Sequence, residues 1–73
     1  VSLDSVYVDA DHHYAECLAD IRAWLPLVRP GGLVAGHDYW ARDPGVMDAV
    51  NEAFGGDFAV VPDTRIWWHR KPL

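Results

Sequence analysis

Acidic and histidine residues follow two short apolar stretches, at the point where each stretch ends. They are Asp9, Asp11 and His12 after the first stretch, and His37 and Asp38 after the second. Neighbouring parallel strands lie about 4.8 Å apart. Carboxylates at matching strand ends, Asp9 and Asp38, could therefore share a hard cation such as Mg²⁺. Alternatively, these carboxylates could hydrogen-bond a ligand or cap a helix or turn, as Asp11 is placed to do.

His12 and His37 are candidates for proton transfer, because a histidine side chain titrates near neutral pH. Zinc binding is an alternative, although the two histidines show no fixed ligand spacing and have no cysteine partners. Tyr39 and Trp40, which follow directly, could stack on a ligand or could pack their loop against the sheet. The other two histidines, expected to be partly exposed surface residues, are His13 and His69.

The first two strands and the helix between them are predicted from hydrophobic spacing and turn residues. Residues 5–9 form a short β-branched and aromatic stretch, expected to be a strand buried on both faces. An apolar stripe over residues 14–25 predicts an amphipathic helix, which Pro26 ends. Residues 30–32, Pro-Gly-Gly, are expected to form a turn before a second strand at 33–36. The result is a βαβ unit with parallel strands and a right-handed crossover.

The second half of the chain predicts a helix and a hairpin. Asp43 as N-cap and Pro44 at the first helical position start a helix that runs to about Phe54. Strands follow at residues 58–61 and 65–70. Their three-residue connection is too short for a parallel crossover, so they are expected to pair as an antiparallel hairpin. The fold class is α/β with the order β-α-β-α-β-β.

The last strand carries two tryptophans and three basic residues. Trp67 and Trp68 alternate across the strand, so one is expected in the core and the other on the opposite face. Arg65, Arg70 and Lys71 are most simply solvated strand ends. This interpretation leaves the basic residues without a functional role.

Composition limits the function classes. The chain has 73 residues, enough for one small domain, and a net charge of −5 from 6 basic and 11 acidic residues. A nucleic-acid surface would need a basic patch, so none is expected. No apolar run approaches the roughly 18 residues of a membrane span. A single cysteine, Cys17, cannot form an internal disulfide, and nothing favours secretion, so a cytoplasmic location is expected.

The motifs together resemble a known family. They are Asp-Ala-Asp-His at residues 9–12, Pro-Gly-Gly at 30–32, Gly-His-Asp-Tyr at 36–39 and a tryptophan-containing last strand. In this combination the chain is similar to the C-terminal half of a class I S-adenosylmethionine-dependent methyltransferase, of the small-molecule or sugar O-methyltransferase type. The resemblance implies half of a Rossmann-like sheet in the order 1-2-4-3, as a single partial domain over residues 1–73.

The resemblance also implies roles for the polar residues. Mg²⁺ would lie between Asp9 and Asp38, and His12 would be the base that takes the proton from the acceptor hydroxyl. His37, Tyr39 and Trp40 would contact a small-molecule acceptor. S-adenosylmethionine would be bound mainly by a preceding half, because no Gly-x-Gly-x-Gly motif occurs here and no cofactor-binding residue is assigned.

Two other function classes stay open. One is a non-enzymatic assembly module, a half-fold held in a homo-oligomer by pairing across its open sheet edge. The other is a Mg²⁺-assisted hydrolase or a sugar-binding domain that shares only the half-fold. Cofactor binding would distinguish the methyltransferase from both, since fold alone does not fix function.

Overall fold

A computed structural model describes residues 2–9 and 12–73 of the chain. Two helices and four strands follow one another in the predicted order, with a short 3₁₀ turn after the first helix. They are β1 (Leu3–Val8), α1 (Tyr14–Trp24), the 3₁₀ turn (Leu25–Leu27), β2 (Val28–Gly36), α2 (Pro44–Phe54), β3 (Ala59–Val60) and β4 (Trp67–Arg70). None of the helices in this part of the chain is long and apolar enough to cross a bilayer.

The four strands form one mixed sheet in the order β1-β2-β4-β3. β1 pairs parallel with β2, and β4 pairs antiparallel with both β2 and β3. The α/β class and the sheet order are therefore confirmed. The hairpin strands are shorter than expected, because the turn between them takes up residues 61–66.

β2 begins five residues earlier than predicted. Pro-Gly-Gly at 30–32 lies inside the strand as an irregularity, and the register with β1 shifts beside it. Gly31 has a φ of 83°, which glycine adopts readily. The prediction that residues 30–32 form a turn before the strand was therefore wrong. Their backbone is paired instead: the N–H of Gly31 donates to the Lys71 carbonyl, and the N–H of Lys71 donates to the Gly32 carbonyl.

α1 and α2 pack against each other and share one core with the inward side of the sheet. That core includes Ile21, Val34, Val50 and Trp67, all almost fully buried. Because both helices lie on this face, the opposite face is less covered, and Tyr7 is 54% exposed. The prediction that the first strand is buried on both faces was therefore wrong.

The last strand confirms one expectation and corrects two. Trp67 is buried and Trp68 is partly exposed, as alternation requires. His69, expected at the surface, is buried: it lies opposite Val34, stacks on Phe54 at 4.2 Å between ring centroids and is hydrogen-bonded to the Asp57 carbonyl at 2.5 Å. Lys71 is not a solvated strand end.

The ammonium group of Lys71 joins the end of the chain to the start of β2. Its Nζ donates to the carbonyls of Leu25 and Val28, at 3.0 and 2.8 Å. The Leu25 carbonyl belongs to the 3₁₀ turn and the Val28 carbonyl to the first residue of β2. A single side chain therefore holds the crossover and the C-terminal segment together.

Candidate functional site

The carboxyl ends of β1 and β2 bring two of the candidate residues into contact. Val8 lies opposite Gly36 in the parallel register, so the next residues, Asp9 and His37, leave the sheet side by side. His37 Nε2 lies 3.0 Å from Asp9 Oδ1. The matched strand ends therefore give a histidine–carboxylate contact.

Asp38 turns the chain back toward this edge. Its φ of 65° is in the left-handed region, which aspartate enters more readily than most residues. Its Oδ2 lies 2.6 Å from His37 Nδ1 and 2.8 Å from His12 Nε2. One carboxylate oxygen thus contacts two histidines that are 25 residues apart in the sequence.

His37 lies between two carboxylates, and this arrangement determines its charge. The hydrogen bond with Asp9 is the main cause that raises the pKa of His37 above 6.5, and Asp38 acts in the same direction against a desolvation effect. The ring also stacks on Tyr7, with centroids 5.8 Å apart. The imidazolium form of His37 is therefore retained to higher pH than in a free histidine.

His12 faces a carboxylate at each ring nitrogen. Its Nε2 contacts Asp38 at 2.8 Å, and its Nδ1 lies 3.5 Å from Asp43 Oδ1. The other oxygen of Asp43, Oδ2, accepts a 2.6 Å hydrogen bond from the indole Nε1–H of Trp40. More than half of the His12 side chain is exposed, so a small molecule can reach the ring.

Asp43 was predicted only as the N-cap of the second helix. It does occupy that position, but its side chain makes no capping hydrogen bond. The carboxylate is used by Trp40 and His12 instead. The start of α2 comes this close because Gly45 has no side chain: a Cβ there would lie 2.6 Å from the His12 carbonyl oxygen. The other predicted N-cap, Asp11, lies outside the described residues, and the N-cap of α1 is His13.

The carboxylates around His37 and those around His12 differ in how well they fit a metal. The ring of His37 lies between Asp9 and Asp38, so these carboxylates do not converge on one cation. His12, Asp38 and Asp43 do converge, with one ligand atom of each within 4.8 Å of the others. One imidazole and two carboxylates suit a transition metal better than Mg²⁺, which prefers oxygen ligands. Mg²⁺ at Asp9 and Asp38 stays a prediction.

The aromatic residues after β2 divide between packing and the site. Tyr39 packs against the core; its ring contacts Phe58, and its hydroxyl donates to Asn51 at 3.3 Å. These contacts match the packing alternative, and its acceptor contact stays a prediction. Trp40 lies beside Asp43 and beneath the guanidinium of Arg65, whose Cζ is 3.3 Å from the indole centroid.

Sequence reasoning missed Asp43 and Arg65 as neighbours of the site. The Trp-x-x-Asp spacing within one loop could have indicated the Trp40–Asp43 contact. No local signal could have indicated Arg65, because it reaches Trp40 only through the folding of the hairpin onto this loop. A groove of about 320 Å³ lies elsewhere, against Trp68 and Arg70 on the β3 side, and contains none of the predicted site residues.

Comparison with family models identifies a match. A family model described as a methyltransferase domain matches residues 1–39, more than half of the chain. The matched segment includes Asp9, His12, His37 and Asp38 but ends before Trp40 and Asp43. No curated protein and no solved structure matches significantly.

Proposed function

The chain belongs to the methyltransferase domain family, and from that premise we propose that it takes part in S-adenosylmethionine-dependent methyl transfer to a hydroxyl group of a small molecule such as a sugar. In this proposal the carboxyl ends of β1 and β2 form the acceptor side of the site. His12 is the general base, and Asp38 and Asp43 hold it in place.

The observation that carries the proposal is the position of His12 between two carboxylates. Nε2 lies 2.8 Å from Asp38 Oδ2; in this proposal the ring carries its proton on Nε2 and donates it to Asp38, so Nδ1 is the nitrogen that takes the acceptor's proton. Asp43, at 3.5 Å from Nδ1, is far enough away for an acceptor hydroxyl to compete for this nitrogen. When Nδ1 takes the proton, the resulting imidazolium lies between two negative charges, which stabilise it.

The bond changes balance without a metal. S-adenosylmethionine, when bound, supplies a methyl group on a positively charged sulfur. The acceptor oxygen would form a bond to that methyl carbon as the carbon–sulfur bond breaks, and the sulfur would keep the electron pair as neutral S-adenosylhomocysteine. The hydroxyl proton would pass to Nδ1 of His12. We propose that the cofactor is held mainly by polypeptide outside these 73 residues, because the sequence has no Gly-x-Gly-x-Gly motif.

The test is methyl transfer from labelled S-adenosylmethionine to a panel of sugars and phenols, by the protein that contains this chain. We expect His12→Gln to lower kcat by about 100-fold or more, as loss of a general base does. The matched control is His13→Gln, which changes the neighbouring exposed histidine. Equal losses in both variants, or full activity in His12→Gln, would show that His12 is not the base.

A second test addresses the cofactor. Calorimetric titration of S-adenosylhomocysteine, with and without Mg²⁺, should give binding to a protein extended upstream through the cofactor loop. It should give weaker or no binding to the 73 residues alone. Absence of binding to both would refute the proposal for S-adenosylmethionine.

An assembly module is the second candidate function, and the sheet edge favours it. β1 lies at the edge of the sheet, so one side of its backbone has no strand partner within the described residues. Such an edge can pair with another chain. On this account β1 of one copy pairs with β1 of a second copy. Sedimentation would then show a dimer whose formation Val6→Pro abolishes.

A further inference from the structure

Two arginines lie on the indole ring beside the candidate base. The Cζ of Arg65 is 3.3 Å from the Trp40 ring centroid, and that of Arg42 is 5.5 Å away. Both residues are exposed. Within residues 2–9 and 12–73, neither guanidinium forms an ion pair with a carboxylate. Two cationic groups that pair with no carboxylate of the described residues therefore lie together in a chain whose net charge is −5.

Stacking orients a guanidinium for anion binding. An arginine over an indole gains about 0.5–1 kcal/mol at an exposed site. The contact uses the flat face of the group and leaves its in-plane N–H donors directed outward. Those donors match the two oxygens of a carboxylate or phosphate. Trp40 thus restricts the freedom of Arg65 without occupying its hydrogen-bonding edge.

The indole also links the arginines to His12. Its Nε1–H donates to Asp43 Oδ2 at 2.6 Å, and the other oxygen of Asp43 is 3.5 Å from His12 Nδ1. The backbone agrees with this placement, because the N–H of Tyr39 donates to the Arg65 carbonyl at 3.0 Å and fixes the hairpin turn beside the loop. Two side chains, Asp43 and Trp40, therefore connect the candidate base to the cationic pair.

We propose that Arg42 and Arg65, supported by Trp40, bind an anionic group of the methyl acceptor, a carboxylate or a phosphate, and so select hydroxylated acids or phosphorylated sugars. This inference rests on the proposed function in taking the bound molecule to be a methyl acceptor, but anion binding itself does not require methyl transfer. Asp38 and Asp43 repel a free anion nearby. A small inorganic anion therefore binds more weakly than an acceptor that also contacts His12.

The experiment measures binding without turnover. In ¹⁵N-labelled protein, the indole N–H of Trp40, assigned by its loss in Trp40→Phe, and the Nε–H of Arg65 are followed during titration at constant ionic strength. The probes are inorganic phosphate, glucose 6-phosphate, glucuronate and glucose. We expect the three anions to shift both resonances and glucose to leave them unchanged. Equal shifts with glucose would overturn the proposal.

Variants that each remove one positive charge test the roles of Arg42 and Arg65. Arg65→Gln and Arg42→Gln should each weaken glucose 6-phosphate binding by about tenfold, the loss of one charge-assisted hydrogen-bond pair. Arg22→Gln is the control, because it removes the same charge near the C-terminal end of α1. This position is about 12 Å along the helix from Tyr14, the first residue of α1, so the variant should leave binding unchanged. Equal affinities in all three variants, or an equal loss in all three, would overturn the assignment.

Two further variants separate the outcomes. Arg65→Lys keeps the charge but loses the planar fork, so it should bind phosphate more weakly than wild type while its circular dichroism stays unchanged; wild-type affinity would contradict the bidentate geometry. His12→Gln should leave the binding of inorganic phosphate unchanged, because that probe does not need the His12 contact. If the arginines bind anions but the protein transfers no methyl group, this inference is upheld and the proposed function is rejected. If the protein transfers methyl groups but the arginine variants bind anions as well as wild type, only this inference is rejected.

Discussion

Gly45→Ala tests whether contact between α2 and the loop at His12 builds the site. A Cβ at residue 45 would lie 2.6 Å from the His12 carbonyl oxygen and 2.8 Å from the Tyr14 backbone nitrogen. Both neighbours are backbone atoms, so no side-chain rotation can relieve the clash. The start of α2 must move away from the loop, and Asp43 must move with it.

The expected magnitude combines two opposing effects. Forcing an extra methyl group into a filled space typically costs about 1–3 kcal/mol. Alanine favours a helix over glycine by up to about 1 kcal/mol. We therefore expect the free energy of unfolding to fall by about 1–2 kcal/mol. In a domain of this size each kcal/mol lowers Tm by roughly 4–8 °C.

The assay is thermal and urea unfolding followed by circular dichroism, with Gly56→Ala as the matched control. Nothing lies within 4 Å of a Cβ at Gly56, so that variant should be as stable as wild type or slightly more stable. The His12 ring resonances should shift in Gly45→Ala alone, because Asp43 recedes from Nδ1. If Gly45→Ala melts at or above the wild-type temperature, the reasoning is refuted.

Three further predictions concern charge and packing. Asp9→Asn should lower the pKa of His37, measured by NMR titration. That pKa is raised in the folded chain, so protonated His37 stabilises the fold fully below about pH 6.5, and this stabilisation is lost as pH rises through the pKa of the folded state. Asp9→Asn should therefore lower the free energy of unfolding at about pH 5.5 and change it little at about pH 8.5. Lys71→Met should cost about 1–2 kcal/mol in urea unfolding, because two carbonyls lose a charged donor. Trp67→Ala should cost about 3–5 kcal/mol, a large share of the roughly 4–11 kcal/mol that a domain of this length has in total.

Each of these predictions has a neighbour as its control. Asp4→Asn removes a distant exposed carboxylate that pairs with Arg29. It should leave the titration of His37 unchanged, and any loss of stability should be the same at about pH 5.5 and about pH 8.5, because the Arg29 pair does not titrate there. Arg70→Met and Trp68→Ala alter the exposed neighbours of Lys71 and Trp67, and each should cost clearly less than the buried change beside it. An extra loss of stability at about pH 5.5 in Asp4→Asn, as large as that in Asp9→Asn, would contradict the role given to Asp9. Equal losses in Lys71→Met and Arg70→Met, or in Trp67→Ala and Trp68→Ala, would contradict the roles given to Lys71 and Trp67.

Local signals in the sequence were sufficient for the elements and their order. Pro26 and Gly55 mark helix ends that the structure has, and the short connection before β4 requires an antiparallel hairpin. The burial of His69 could also have been derived. It is two residues after Trp67, so if Trp67 is in the core, His69 is on the same face of the strand.

The geometry of the site could be predicted only in part. That Asp9 and His37 lie together follows from parallel strands ending at one edge. That His37 inserts between two carboxylates does not follow, because it depends on the left-handed conformation at Asp38 and on side-chain rotamers. The stacking of Arg65 on Trp40 depends on where the hairpin turn folds back, and no spacing in the sequence encodes that placement.

The hydrogen bond from the Tyr39 amide to the Arg65 carbonyl has a consequence for local opening. This amide is outside any regular strand, and its acceptor belongs to the turn before β4. It can exchange its hydrogen with solvent only when the loop and the turn separate. Its exchange rate therefore reports how often the two segments part together, as one cooperative opening unit rather than two independent loops. A molecule bound across both segments would slow that exchange even without contacting the amide itself.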